Sequence, residues 1–169
     1  SWPGAALSQL PYLIAAGALG PGTPSRDLIV SPQHKVMMSG PTVRSKFSVD
    51  EVLAPVKGLT KLRGVRRMQG KRQVTYVHLL LERHSVIWSE ETPTESLYPG
   101  PVAREMLGKA RWQELEELFP GISDDPEGAY GPHARLNITR RQAEELVERI
   151  LADKASAAQM SEPDVALAE

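Results

Sequence analysis

Histidines close to strand-like stretches are the residues of this chain best suited to chemistry. Ser31-Pro32-Gln33-His34 follows the apolar run Leu28-Ile29-Val30. Pro32 fixes its own φ and favours an extended Ser31, so Ser31 and His34 are expected together on a rigid corner. There His34 could donate a proton to a leaving amide nitrogen while the Ser31 hydroxyl orients it. A half-exposed turn histidine without a chemical role is consistent with the same spacing.

His78 and His84 fall in residues 73–87, which are rich in β-branched and aromatic residues and are predicted to form a strand. The strand face expected in the core comprises Thr75, Val77, Leu79 and Leu81. The two histidines would share the other face, about 20 Å apart, too far to bind one metal ion. No other zinc-ligand spacing accompanies them, and His133 follows Gly131-Pro132 in a predicted exposed loop. We expect no metal site and no cofactor.

Composition limits the classes of function. The 169 residues suffice for one domain with a sizeable core, and the absence of cysteine excludes disulfides and thiolate metal sites. No apolar run approaches the ~20 residues that span a bilayer, so no membrane partner is expected. The chain begins Ser1-Trp2-Pro3 without an initiator methionine, which suggests a piece of a longer polypeptide.

Charge is distributed unevenly along the chain. Residues 1–89 hold 12 Lys/Arg against 4 Asp/Glu, whereas residues 90–169 hold 8 against 17. A nucleic-acid-binding half and two halves that attract each other both explain this pattern. The basic segment at residues 57–72 lacks a clustered aromatic platform, so we favour mutual attraction over nucleic acid as a partner.

The predicted elements change from strands to helices near residue 90. Leu28-Ile29-Val30 and Val36-Met37-Met38 read as strands, Thr42-Val43 is a weaker strand candidate, and residues 52–68 are expected to form a loop with one helical turn. Further along, Pro101 begins a helix that Gly108 stops, and the stripe Trp112, Leu115, Leu118 and Phe119 forms another. Thr139 and Gln142 form a capping box before an amphipathic helix. The predicted organisation is a β domain at residues 1–98, a helical extension at 99–153 and a disordered tail at 154–169.

Three segments, in this order, resemble a known family. They are Ile14 to Val36 with its Ser31-Pro32-Gln33-His34 motif, Val74 to His84 followed by Thr94-Glu95-Ser96-Leu97, and the Leu118-Phe119-Pro120 helix end. Together they are similar to the middle and end of a bacterial Hint domain, the type found in Hedgehog proteins and inteins. The resemblance covers roughly residues 12–122.

The resemblance implies a mainly β fold of long, curved hairpins with a C-terminal α-helical extension, and an autoprocessing activity. Family members use a Cys or Ser at the first position of the domain to attack the preceding carbonyl, which shifts an amide to a (thio)ester. A Thr-x-x-His motif assists this step, and Ser31 and His34 match it with serine in place of threonine. His84 falls where the final block places its histidine. The implied catalytic residues are therefore Ser31, His34 and His84, and the implied partner is the upstream part of the same polypeptide.

Departures from the family pattern limit the predicted activity. The opening strand with its nucleophile has no counterpart, because Trp2-Pro3-Gly4 does not continue Ser1 as a strand. Val77 stands where inteins often carry an aspartate, and the His-Asn pair that completes splicing is missing. We therefore expect a self-cleaving, non-splicing domain that is inactive without its upstream segment. The alternatives are a degenerate scaffold that serves as an interaction module and a nucleic-acid binder that uses its basic face.

Overall fold

A computed structural model describes residues 10–69 and 75–161 of the chain. The elements in chain order are β1 Tyr12–Ile14, β2 Leu28–Val30, β3 Lys35–Ser39, α1 Pro41–Phe47, β4 Glu51–Pro55, β5 Val65–Arg67, β6 Val86–Ser89, β7 Thr92–Glu95, α2 Pro101–Leu118, α3 Pro126–Tyr130, β8 Leu136–Asn137 and α4 Arg140–Ser161. Most strands precede residue 96 and the longer helices follow residue 100. This arrangement agrees with the predicted fold class, a mainly β fold with a C-terminal helical extension.

The strands form two small sheets. One has the order β2-β1-β5, and the other has the order β6-β7-β3-β4-β8. All pairs are antiparallel except β4 with β8, which run parallel. Strand β3 therefore lies between β4 and β7, and this brings the residues around position 35 next to those around position 95.

Strand β4 is the centre of the main hydrophobic core. Its side chains from Val52 to Pro55 are buried, and Val36 and Met38 of β3 lie in register with Ala54 and Val52. Helix α4 covers this sheet with Ala143, Leu146 and Val147, all fully buried. Burial of each large aliphatic side chain contributes about 1.5–3 kcal/mol. The main core therefore joins the β domain to the last helix of the chain.

Two predictions for residues 41–68 are wrong in part. The weak strand candidate Thr42-Val43 lies in helix α1, which begins with Pro41 and is followed by Ser48 in a left-handed conformation with φ 57°. Pro41 favours a helix start because its fixed φ suits the first turn. The region predicted as a loop with a helical turn contains strands β4 and β5 as well as the short 3-10 helix Val56–Gly58.

The strand predicted for residues 73–87 is largely absent from the described part of this segment. Residues 75–85 have no regular secondary structure apart from a bend at 82–83, and only Val86 and Ile87 of the segment belong to a strand, β6. The predicted core face is also reversed: Val77, Leu79 and Leu81 are 81%, 54% and 40% exposed. Exposure alternates along residues 75–80, but with the opposite phase to the prediction. Leu80 packs against a second hydrophobic cluster, which forms around helix α2.

The helical predictions agree better with the structure. Helix α2 is interrupted at Gly108, whose φ of 73° and ψ of 170° are not helical. The capping box is present, since the Thr139 amide donates to Gln142 Oε1 at 2.8 Å and the Gln142 amide donates to Thr139 Oγ1 at 3.2 Å. Helix α4, however, continues to Ser161, so residues 154–161 extend the helix instead of starting a disordered tail. The rest of the predicted tail, residues 162–169, lies outside the described residues.

Ion pairs connect the basic and acidic halves of the chain. Arg26 pairs with Glu90, Lys35 with Glu95, Lys46 with Glu145 and Lys61 with Glu148. These contacts support mutual attraction as the reason for the uneven charge. Within the described ranges, none of the helices is both long enough and apolar enough to cross a membrane.

Candidate functional site

A cleft of ≈ 290 Å³ lies beside strands β3, β6 and β7 and the start of helix α2. The chemically capable side chains on its wall are Ser31, His34, Lys35, His78 and Glu95. The remainder is lined by Gln33, Ser89, Ser96 and Tyr98 and by apolar side chains, among them Leu79, Leu97, Val102 and Met106. A mostly apolar cleft with a few convergent polar groups is the usual form of a ligand or reaction site.

The turn between β2 and β3 places Ser31 and His34 at this cleft. The His34 amide donates to the Ser31 carbonyl at 3.1 Å, which closes a β-turn with Pro32 at its second position. The Val56 amide donates to the His34 carbonyl at 3.0 Å and fixes the end of the turn. Ser31 is 6% exposed. The structure thus contains the rigid corner that the sequence predicts, with both residues held against the core.

The environment of His34 favours its neutral form. Burial lowers the pKa of the His34 imidazole below its usual value, and the positive Lys35 and the neighbouring His78 act in the same direction. Glu95 opposes them, because a nearby carboxylate stabilises the imidazolium. A neutral His34 next to a carboxylate can accept a proton and then hold it.

Glu95 interacts electrostatically with both predicted histidines, His34 and His84. Its carboxylate accepts the Lys35 backbone amide at 3.1 Å and the Lys35 ammonium at 3.0 Å, and Oε2 lies 3.4 Å from Nε2 of His84. Burial acts to raise the pKa of the Glu95 carboxyl, but His84, Lys35 and His34 outweigh it and hold the pKa below its usual range. The sequence shows no role for Glu95. Its position in β7, adjacent to β3, gives it one.

His84 lies behind Glu95 and not on the wall of the cleft. Its side chain is fully buried, and its Nδ1 accepts the backbone amide of Ala134 at 2.9 Å. The 3.4 Å separation between Nε2 and Glu95 is long for a hydrogen bond, so this contact is a weak electrostatic one. The predicted site residues therefore form two connected groups. Ser31 and His34 lie at the cleft, whereas His84 is connected to the cleft through its contact with Glu95.

His133 is a residue whose contacts sequence reasoning missed. It is exposed on its loop, as predicted, but its ring stacks on Tyr98 with centroids 3.7 Å apart and meets the His84 ring edge-on at 5.1 Å. Burial of its packed side, together with His84, lowers the pKa of His133 to about 4. No signal in the sequence shows that this loop folds back onto His84.

Two other classes of site can be compared with the structure. In the described part of the chain, no three His, Cys, Asp or Glu side chains meet in an arrangement that could hold a metal ion. Of the basic segment, Lys57 donates to Gln33 and Lys61 pairs with Glu148, while Arg66 and Arg67 are exposed on β5. Lys71 and Arg72 lie outside the described residues.

Comparison with known proteins identifies one family. The model of the Hint domain family matches residues 4–101, which contain Ser31, His34, His84 and Glu95. No curated protein and no solved structure matches the chain. The matched region ends at the first residue of helix α2, so the loop that carries His133 and Ala134 lies outside it.

Proposed function

Because the chain belongs to the Hint domain family, we propose that it carries the assisting groups of a self-cleaving site. The observation that supports this most directly is the meeting of Ser31, His34 and Glu95 at one cleft. The proposed nucleophile is a Cys or Ser supplied by the upstream part of the same polypeptide. Without that upstream segment, this chain by itself is proposed to be inactive.

His34 is the proposed proton carrier of the acyl shift. The nucleophile forms a bond from Sγ or Oγ to the preceding carbonyl carbon, and its proton passes to the neutral His34. The carbon–nitrogen bond then breaks, and the leaving amide nitrogen takes the proton back from His34. The amide becomes a (thio)ester without net gain or loss of a proton. The lowered pKa of His34 suits this sequence, since the imidazole starts in the form that can accept.

Glu95 is proposed to stabilise His34 while it carries the proton. A partly buried carboxylate near an imidazole favours the imidazolium, and the Lys35 ammonium keeps that carboxylate ionised. Ser31 is proposed to orient the His34 ring, because both belong to the same hydrogen-bonded turn. His84 is proposed to aid later steps through its contact with Glu95.

A folded interaction module is the second candidate, and Val77, which stands where inteins often carry an aspartate, favours it. Such a module would keep the assisting groups as structural residues and would lack a nucleophile upstream. The sequence immediately before this chain discriminates between the two candidates. A Cys or Ser that opens a strand supports self-cleavage, and its absence supports the module.

Intact mass spectrometry of the longer polypeptide tests the proposal. The polypeptide is incubated for hours with an added thiol, which attacks a (thio)ester and releases the upstream part. Cleavage at the junction that disappears when the upstream nucleophile is changed to alanine supports the acyl shift. A mass that stays unchanged over the same period contradicts it.

A further inference from the structure

A loop outside the matched family region closes over the buried His84. This loop comprises residues 131–135 and follows helix α3. The Ala134 amide donates to Nδ1 of His84 at 2.9 Å, a normal length for such a bond. A residue of the helical extension therefore contacts the histidine of the β domain directly.

The Ala134 amide determines which nitrogen of neutral His84 carries the proton. A nitrogen that accepts a hydrogen bond has a free lone pair, so Nδ1 bears no hydrogen in this arrangement. The imidazole proton is then on Nε2, which faces Oε2 of Glu95 at 3.4 Å. The opposite tautomer would place two N–H donors against each other at Nδ1 and a bare nitrogen against the Glu95 carboxylate.

Aromatic contacts fix the loop at this position. The Tyr98 hydroxyl donates to the Gly131 carbonyl at 3.3 Å, and the Tyr98 ring stacks on His133. The Tyr130 hydroxyl donates to the Leu81 carbonyl at 2.8 Å, which ties α3 to the segment just before His84. The loop is thus anchored on both sides of the histidine that it covers.

We infer that the loop at residues 131–135 is a positioning element of the cleft, because its Ala134 amide holds His84 in the tautomer that directs a proton to Glu95. Glu95 in turn acts electrostatically on His34, so the loop affects the proton carrier through two intervening side chains. The catalytic part of this inference rests on the proposed self-cleavage. The groups that face His84 are Glu95 from β7, Tyr98 and His133.

The direct test is nitrogen-15 NMR of the His84 imidazole in the full chain. Wild-type protein is expected to show Nδ1 unprotonated and Nε2 protonated at neutral pH, and its Ala134 amide is expected to exchange slowly with solvent. Ala134→Pro removes the donor and is expected to change the tautomer population, whereas the matched control Ala134→Gly keeps the N–H and the tautomer. A wild-type His84 with its proton on Nδ1 would overturn the inference.

A second variant avoids dependence on the proline substitution. His133→Ala removes the stacking on Tyr98 but keeps every backbone donor, so the Ala134 amide is expected to exchange at least about tenfold faster. The positioning role would be contradicted if His133→Ala changed neither the exchange rate of the Ala134 amide nor the His84 tautomer, and Ala134→Pro either unfolded or also left the tautomer unchanged.

Cleavage of the longer polypeptide provides the functional readout. Ala134→Pro is expected to slow cleavage about tenfold or more and to alter its pH profile, since His84 in the other tautomer no longer presents an N–H to Glu95. Normal kinetics with an altered tautomer would overturn the catalytic part of the inference. A wild-type polypeptide that never cleaves refutes the proposed function instead, and the tautomer and exchange results still decide whether the loop positions His84.

Discussion

Glu95 accepts both the backbone amide and the side-chain ammonium of Lys35, the residue that follows His34. This double contact connects β7 to β3 at the point where the Ser31–His34 turn ends. It places a carboxylate beside the turn histidine although the two residues are about sixty positions apart. The whole proposed site depends on this pairing.

Removal of the Glu95 charge is expected to destabilise the fold in a pH-dependent way. Glu95→Gln leaves the half-buried Lys35 ammonium without its partner, which costs about 1–3 kcal/mol at neutral pH. The pKa of Glu95 is lowered in the folded state, so its contribution is present above the unfolded pKa of about 4.3 and is lost as the pH falls through the folded value. Urea unfolding at pH 7 and pH 3 measures this difference.

The matched control for that substitution is Glu91→Gln, which changes an exposed carboxylate in the neighbouring hairpin turn. It is expected to alter stability by less than about 0.5 kcal/mol at either pH. A loss equal to that of Glu95→Gln would show that hairpin charge in general, and not the Lys35 contact, stabilises the fold.

His133 is expected to titrate far below an ordinary histidine. Its pKa of about 4 compares with about 6.5 in the unfolded chain, so between these values the unfolded state binds a proton that the folded state does not. Stability should therefore decrease as the pH is lowered from 6.5 to 4, and His133→Asn should reduce this decrease. NMR titration of the ring measures the pKa itself, and a midpoint near 6.5 would contradict the packed position.

The capping box of helix α4 should contribute measurably to stability. Thr139→Ala removes the hydroxyl that accepts the Gln142 amide and is expected to cost about 1 kcal/mol. Thr139→Ser keeps the hydroxyl and should retain most of that stability. Thermal unfolding compares the three proteins, and equal midpoints for the alanine and serine variants would rule out the hydrogen bond as the cause.

Gly58 allows helix α4 to approach the β domain closely. A Cβ atom at this position would lie 2.6 Å from the Ala143 Cβ and 2.8 Å from the Arg140 carbonyl oxygen. Gly58→Ala is therefore expected to cost about 1–3 kcal/mol, because the helix backbone must shift. Adding Ala143→Gly removes one of the two contacts and should not restore the wild-type midpoint in urea, since the carbonyl clash persists.

Local signals predicted local structure well. The Ser31–His34 turn follows from Pro32, the break in α2 from Gly108 and the start of α4 from Thr139 and Gln142. In each case one residue type restricts the backbone or supplies a hydrogen bond within four positions of itself. These features could be read from the sequence because nothing distant competes with them.

The sequence-based predictions failed where contacts between distant segments determine the structure. The alternation of residues 75–81 gives the correct period, but Leu80 packs against the α2 cluster and leaves Val77 and Leu79 exposed, so the predicted faces are exchanged. Glu95 and His133 have no distinctive neighbours in the sequence. Their roles arise from β3–β7 pairing and from a loop that returns to a histidine fifty positions earlier.

The most direct test of the account is the rate of junction cleavage in the longer polypeptide with His34 replaced by alanine. Time-resolved intact mass spectrometry compares wild type, His34→Ala and Arg141→Ala, the last an exposed change on α4 that serves as a control. Thiol-induced cleavage is expected in wild type and control, and a loss of about 100-fold or more is expected in His34→Ala. Equal cleavage rates in all three proteins would contradict the assignment of His34 as the proton carrier.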